Sequence, residues 1–136
     1  MNVVVVTTRA PTSQPLGDLS DTVRVRWMMP TGGVHSSAEV LVIAQPHGPV
    51  ARAADRISRM LSRNAAARML LRMSPLDPGA RFWRAVRGDA RVREFLCGVD
   101  LLVAGDRDAN FTCWQLARRA DLRAVSGYAA AKQEVP

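Results

Sequence analysis

Asp106 and Asp108 stand one residue apart, between the apolar run "VDLLVAG" and the amphipathic stretch "ANFTCWQLARR". Two carboxylates so spaced can hold a divalent cation against a nucleotide diphosphate, because Mg²⁺ and Mn²⁺ take hard oxygen ligands from one or two side chains. A helix start asks for the same residues: Asp108 would accept the first-turn amides, and both charges would lie at the positive end of the helix dipole. The two readings are compatible, since open α/β sheets bind ligands outside the carboxyl ends of their strands. Thr7, Thr8 and Arg9, which follow the first apolar run in "NVVVVTTR", are the matching candidates on another strand end.

A second group is basic. Arg52, Arg56, Arg59 and Arg63 recur at spacings of four and three, with Arg68 and Arg72 beyond them. On a helix the first four share one face, and a basic amphipathic helix can lie on an anionic membrane or along a nucleic-acid backbone. The plainer alternative is a solvated outer face on which Asp55 pairs with Arg59 at i,i+4. Aromatic residues are missing near this stripe, which counts against stacking on single-stranded nucleic acid.

Other candidates fall away on spacing. "TGGVHSS" at 31 to 37 lacks the phosphate-loop glycine patterns and reads as a turn. His35 and His47 have no two-ligand helical spacing and no neighbouring cysteine, so no zinc centre is expected. Ser36 or Ser37 with His47 lacks a nucleophile elbow. No catalytic set emerges, and no cofactor is implied beyond a nucleotide-sugar or divalent cation at the aspartates.

These residues need elements to position them. "NVVVVTT", 2 to 8, is β-branched without polar alternation and suits a strand buried on both faces of a parallel sheet. "RAPTSQPLGDLSD" is a loop by composition. "TVRVRWMMP", 22 to 30, alternates in the manner of a half-exposed strand at a sheet edge, and such an edge could pair with a copy of itself in a homodimer. "AEVLVIAQP", 38 to 46, is a third strand, and the short gap before it leaves two readings: the second and third strands are antiparallel neighbours, as in a hairpin, or the second pairs elsewhere. From Pro49 to about Met73 the apolar spacing is helical, with a break at Ser62-Arg63-Asn64. Asp77 and Pro78 open a helix over 78 to 87, and Asp89 caps another over 90 to 97 that Gly98 ends. A strand over 99 to 105, a helix from Asp108 to about Arg119, a weak strand over 122 to 127 and a frayed C-terminus complete the reading. Phe82, Trp83, Phe111 and Trp114 are expected in the core, Trp27 outside it, and Cys97 and Cys113 as buried thiols.

Composition agrees with one folded unit. The chain has 136 residues, 48% of them hydrophobic, long enough to bury about two-thirds of its extended surface. Eighteen arginines, one lysine (Lys132) and twelve acids leave a net charge of +7, which favours anionic partners. An Arg-over-Lys bias of this kind is also what a GC-rich genome writes by default. No apolar run approaches the roughly eighteen residues of a membrane span, and no basic segment precedes the first valines, so a cytoplasmic location, peripheral to a membrane at most, is expected.

The segment "FWRAVRGDARVREFLCGVDLLVAGDRDANFTCWQLARR", 82 to 119, resembles text found in actinobacterial glycosyltransferase-like proteins. Those enzymes pair two Rossmann-like halves and bind donor and acceptor between them. The resemblance implies a half-domain of the N-terminal, acceptor-side type, with catalysis by this chain alone not expected because the donor-binding half would be absent. The expected fold is therefore a single small three-layer Rossmann-like domain over 1–136: a mostly parallel sheet of four to five strands with helices on both faces. Its expected role is a binding or accessory module partnered by a second half-domain. The alternative is a basic adaptor whose Arg52–Arg63 face meets an anionic surface.

Overall fold

The structure, a computed structural model, describes residues 1–11, 16, 23–30, 39–46 and 48–135. Its centre is set by four consecutive valines. Val3, Val4, Val5 and Val6 have no exposed surface, and a run of β-branched residues without polar alternation is stable only where both faces of the strand are covered. That strand, β1 (Asn2–Val6), lies in the middle of a five-stranded, all-parallel sheet with β2 (Arg24–Met29), β3 (Glu39–Val42), β4 (Leu101–Ala104) and β5 (Arg123–Ser126). The order is β3-β2-β1-β4-β5.

The pleat divides the valines between two cores. Val4 and Val6 point to the side where Met28, Leu102, Phe82, Val86 and Cys113 gather, whereas Val3 and Val5 meet Trp27, Met29, Leu101, Val103 and Ala131. Helices α3 (Pro78–Gly88), α4 (Arg91–Phe95) and α5 (Ala109–Ala120) supply the first layer; α6 (Tyr128–Glu134) and Leu16 cover the second. The domain is thus a small Rossmann-like α/β fold with helices on both faces. Between β3 and α3 run α1 (Pro49–Leu61) and α2 (Ala65–Arg72), which bury only Ala54 and Leu71.

Local chemistry accounts for the helix starts. Asp77 accepts from the amide of Ala80 at 3.0 Å, with Pro78 at the first helical position. The long periodic stretch breaks where expected, because Asn64 Oδ1 accepts from Ala66 N at 3.1 Å and begins α2 afresh. Among the described residues no helix is long and apolar enough to cross a membrane.

Several expectations are corrected. β2 and β3 are parallel, in register from Arg26↔Glu39 to Met29↔Val42, not an antiparallel hairpin. A gap of nine residues between strands has a maximum reach of about 30 Å, more than the roughly 20 Å length of a six-residue strand, so a short gap does not by itself force a hairpin. Nor is β2 an edge: β1 and β3 flank it, and the edges of the sheet are β3 and β5, so β2 is not the strand that could pair with a copy of itself. Its alternation reflects shielding instead, with Arg26 laid over the Phe95 ring at 4.9 Å and Trp27 buried. Phe111 and Trp114 are 44% and 51% exposed rather than in the core, since the buried face of α5 is made by Ala109, Thr112, Cys113 and Leu116. Cys97 is exposed and only Cys113 buried, both as free thiols. The segment expected to fray contains a helix, Tyr128–Glu134, and its Ala131 is fully buried. The turn at 31 to 37, His35, His47, Ser36, Ser37 and most of the loop after Pro11 lie outside the described residues.

Gly79 decides how closely α3 can approach the start of α5. A Cβ there would lie 2.7 Å from the Asp108 carbonyl oxygen and 3.0 Å from Asp77 Oδ2. In an exposed helix Gly→Ala stabilises by up to about 1 kcal/mol. Here Gly79→Ala is expected to destabilise by about 1–3 kcal/mol, as overpacking against rigid backbone does; an unchanged or raised melting temperature in thermal denaturation would contradict this packing.

Candidate functional site

The chain runs outward from β1 through β2 to β3 and then returns to place β4 against the other side of β1. The β1–β4 boundary is therefore where strand order reverses, the position at which open α/β sheets leave a crevice beyond their carboxyl ends. Thr7 and Thr8 follow β1 there, and Gly105 and Asp106 follow β4.

Asp106 binds the two ends together. Its Oδ2 lies 2.7 Å from the Thr7 hydroxyl and accepts from Thr8 N at 2.6 Å; its Oδ1 accepts from the Thr8 hydroxyl at 3.0 Å and from Ala109 N at 2.9 Å. Thr7 Oγ1 is also 2.6 Å from the Arg9 carbonyl. It has one proton for two acceptors, and the charged one is the stronger. Arg9 enters through its backbone, donating N–H to Thr7 Oγ1 at 3.2 Å. The cap of α5 is thus Asp106, not Asp108, whose side chain makes no capping bond. With four donors converging on it, the Asp106 carboxylate has its lone pairs committed and is poorly placed to ligate a cation.

Half-burial on its own raises the Asp106 pKa, but the hydrogen bonds from Thr7, from the amides of Thr8 and Ala109 and from the Thr8 hydroxyl outweigh it and hold the carboxyl below its usual range. Asp108 goes the other way. Burial pushes its carboxyl up, repulsion from Asp106 and Asp77 adds to that, and Arg9 and Arg107 offset only part. Gly79 makes this crowding possible by letting Asp77 and Asp108 come together. Burial raises the phenol of Tyr128, with a further push from Asp106, and raises the Cys113 thiol to about 12, leaving that cysteine unreactive. Tyr128 also explains Gly105, where a Cβ would lie 2.5 Å from the phenolic oxygen and 3.3 Å from Thr7 Cβ.

Beside this cluster a cleft of about 640 Å³ opens on the β2–β3 side. Thr8, Pro30 and Gln45 bring the ends of β1, β2 and β3 to it; Arg52 and Asp55 of α1 and Arg81 of α3 close it. Arg81 is ion-paired with Asp55, whereas Arg52 forms no ion pair among the described residues. A neighbouring hollow of about 630 Å³ continues over Val50 and Leu76 to Arg84, whose guanidinium donates to the Pro75 carbonyl.

The two candidate groups therefore meet in part. Thr7, Thr8 and Asp106 form one hydrogen-bonded cluster, Arg9 and Asp108 flank it, and Thr8 shares a cleft with Arg52. Arg56 and Arg59 line a shallow hollow on α1 that shares Arg52 and Asp55 with the cleft, and Arg63 lies exposed beyond α1, between it and α2. The local spacing pairs Asp55 with Arg59, but the structure pairs its carboxylate with Arg81 of α3, a contact with no local signal, and Arg59 reaches only the Asp55 backbone carbonyl. Tyr128 carries no signal either, in a segment that composition reads as a frayed end.

The two aspartates have opposite pH signatures. Asp106, with its lowered value, contributes stability that is complete above the unfolded carboxyl range near pH 4 and is lost as pH falls through its folded-state value. Asp108, with its raised value, costs stability when ionised, and that cost is relieved as pH falls through the raised value. Asp106→Asn should lose about 2 kcal/mol at pH 7, because the amide cannot accept from all four donors, and the loss should shrink below about pH 4. Asp108→Asn should raise the melting temperature at pH 7 and leave it unchanged below about pH 4. Denaturation curves with the same mutant effect at both pH values would contradict these assignments. No protein-family model, no curated protein and no solved structure matches this chain, so its functional reading stands on the geometry of these strand ends.

Proposed function

We propose that this chain is a binding module of the glycosyltransferase N-terminal type, which holds a small, hydroxyl-bearing anion such as a sugar phosphate or nucleotide sugar in the cleft above β1, β2 and β3. The observation that carries the reading is that Thr8, beyond β1, and Arg52 of α1 line one space of about 640 Å³. That size suits a drug-sized or nucleotide-sized ligand. The guanidiniums of Arg52 and Arg81 suit a phosphate through paired N–H donors, and Asp55 and the Thr8 hydroxyl suit ligand hydroxyls. The only carboxylate among the cleft's described lining residues is Asp55, and Arg81 holds it, so no general base stands ready. A second half-domain, on this chain's partner or a larger protein, would complete both the enclosure and the chemistry.

Calorimetry and thermal denaturation with nucleotide sugars, sugar phosphates and the corresponding neutral sugars test this. A phosphorylated ligand at a hundredfold its Kd should stabilise the protein by about 3 kcal/mol. Arg52→Ala should weaken its binding about tenfold or more, the effect of losing a charge-assisted hydrogen bond. Neutral sugars binding as tightly as their phosphates, or an unchanged Kd in Arg52→Ala, would overturn the proposal.

A further inference from the structure

The α1–α2 pair leaves apolar side chains in water. Val50, Met60, Met69, Leu70 and Met73 are between 67% and 81% exposed, and Ile57 is 44% exposed. Surface helices of soluble domains place such residues against the core. Here the core-facing positions of α1 are taken by others: Ala51, Ala54, Ser58 and Leu61 are its buried or half-buried residues. Val50, Ala53, Ile57 and Met60 repeat at spacings of three and four and form a separate outward stripe. Arg52, Arg56 and Arg59 form a third face beside it, continued by Arg63. In α2, Met69, Leu70 and the capping Met73 repeat the apolar stripe, and Arg68 and Arg72 repeat the basic one.

The charge on this surface is one-sided. Residues 49–73 carry six arginines and a single acid, Asp55, which Arg81 already neutralises. We infer that the α1–α2 pair is an interfacial element that seats the domain on an anionic phospholipid surface, with the Val/Ile/Met/Leu stripe in the headgroup–acyl boundary and the arginines on lipid phosphates. An apolar stripe bordered by arginine is the pattern of in-plane membrane helices. A second copy of the chain fits poorly, because it would set six arginines against six. Nucleic acid has no use for an aliphatic stripe, and 49–73 contains no aromatic residue on which bases could stack. Arg52 and Val50 also border the cleft region, so docking would bring its mouth to the lipid surface, although the inference stands without any cleft ligand.

The test is co-sedimentation of the full chain with vesicles of phosphatidylcholine alone and of an equal mixture of phosphatidylcholine and phosphatidylglycerol. The wild-type protein should bind the mixed vesicles, bind the neutral ones weakly, and release as salt rises. Two variants, both confined to exposed residues so that circular dichroism should show them folded, separate the contributions. Arg56→Gln with Arg59→Gln and Arg63→Gln should weaken binding about fivefold for each arginine removed. Met60→Ser with Met69→Ser and Met73→Ser should weaken it with every charge kept. Failure to bind mixed vesicles, full binding by the methionine variant, or a methionine-dependent dimer in size-exclusion chromatography with no vesicle binding would overturn the inference.

Discussion

One carboxylate organises the carboxyl end of the sheet. Asp106 accepts from Thr7 and Thr8, just beyond β1, and from the first turn of α5, so a single side chain fixes a strand pair from distant parts of the chain and the helix that leaves it. Parallel strands lack a hairpin to hold their register, and here the register is held at the strand ends by charge-assisted bonds. The consequences extend outward. Thr8, once fastened, forms one wall of the cleft. The start of α5, once fastened, brings Asp108 against Asp77 and creates a half-buried carboxylate that no hydrogen bond relieves among the described residues. Gly79 and Gly105 are the steric conditions for the arrangement, the first clearing backbone and the second clearing Tyr128.

The arginines divide by environment. Arg26, Arg118 and Arg119 lie over the rings of Phe95, Trp114 and Trp83 at 4.7–4.9 Å, covering apolar surface with their stems and planes while keeping their charge near water. Arg81 ties α3 to α1 through Asp55. Those of α1 and α2 are mostly left outward, beside apolar side chains that the fold does not bury. Whatever genomic bias chose arginine over lysine, a planar guanidinium suits both the stacked and the phosphate-facing positions better than an ammonium would.

Sequence patterns revealed what depends on neighbours along the chain. The valine run predicted a two-faced central strand, Asp77-Pro78 predicted a helix start, and the polar break at 62–64 predicted two helices where the apolar spacing alone suggested one. What depended on contacts between distant segments was hidden. On paper Asp108, next to the helix, is the cap; the structure gives that role to Asp106, whose carboxylate the sheet also brings to Thr7 and Thr8. The alternation of β2 suggested an exposed edge, because its arginine could not be seen lying over Phe95, and Trp27 and Trp114 exchanged their expected environments for the same reason. Of the site, Thr8 and Arg52 were legible as members of two separate groups; their meeting in one cleft was not, since it depends on where α1 packs after β3.

The most direct measurement of the central claim, that the space over the ends of β1, β2 and β3 is the binding site, is amide chemical-shift mapping during titration with a nucleotide sugar. The shifted resonances should cluster at Thr8, Gln45, Gly48, Ala51, Arg52 and Arg81, with the amides of β5 and α6 unmoved. Shifts spread along the outer arginines of α1 and α2 with Thr8 and Gln45 silent, or no shifts at saturating ligand, would contradict it.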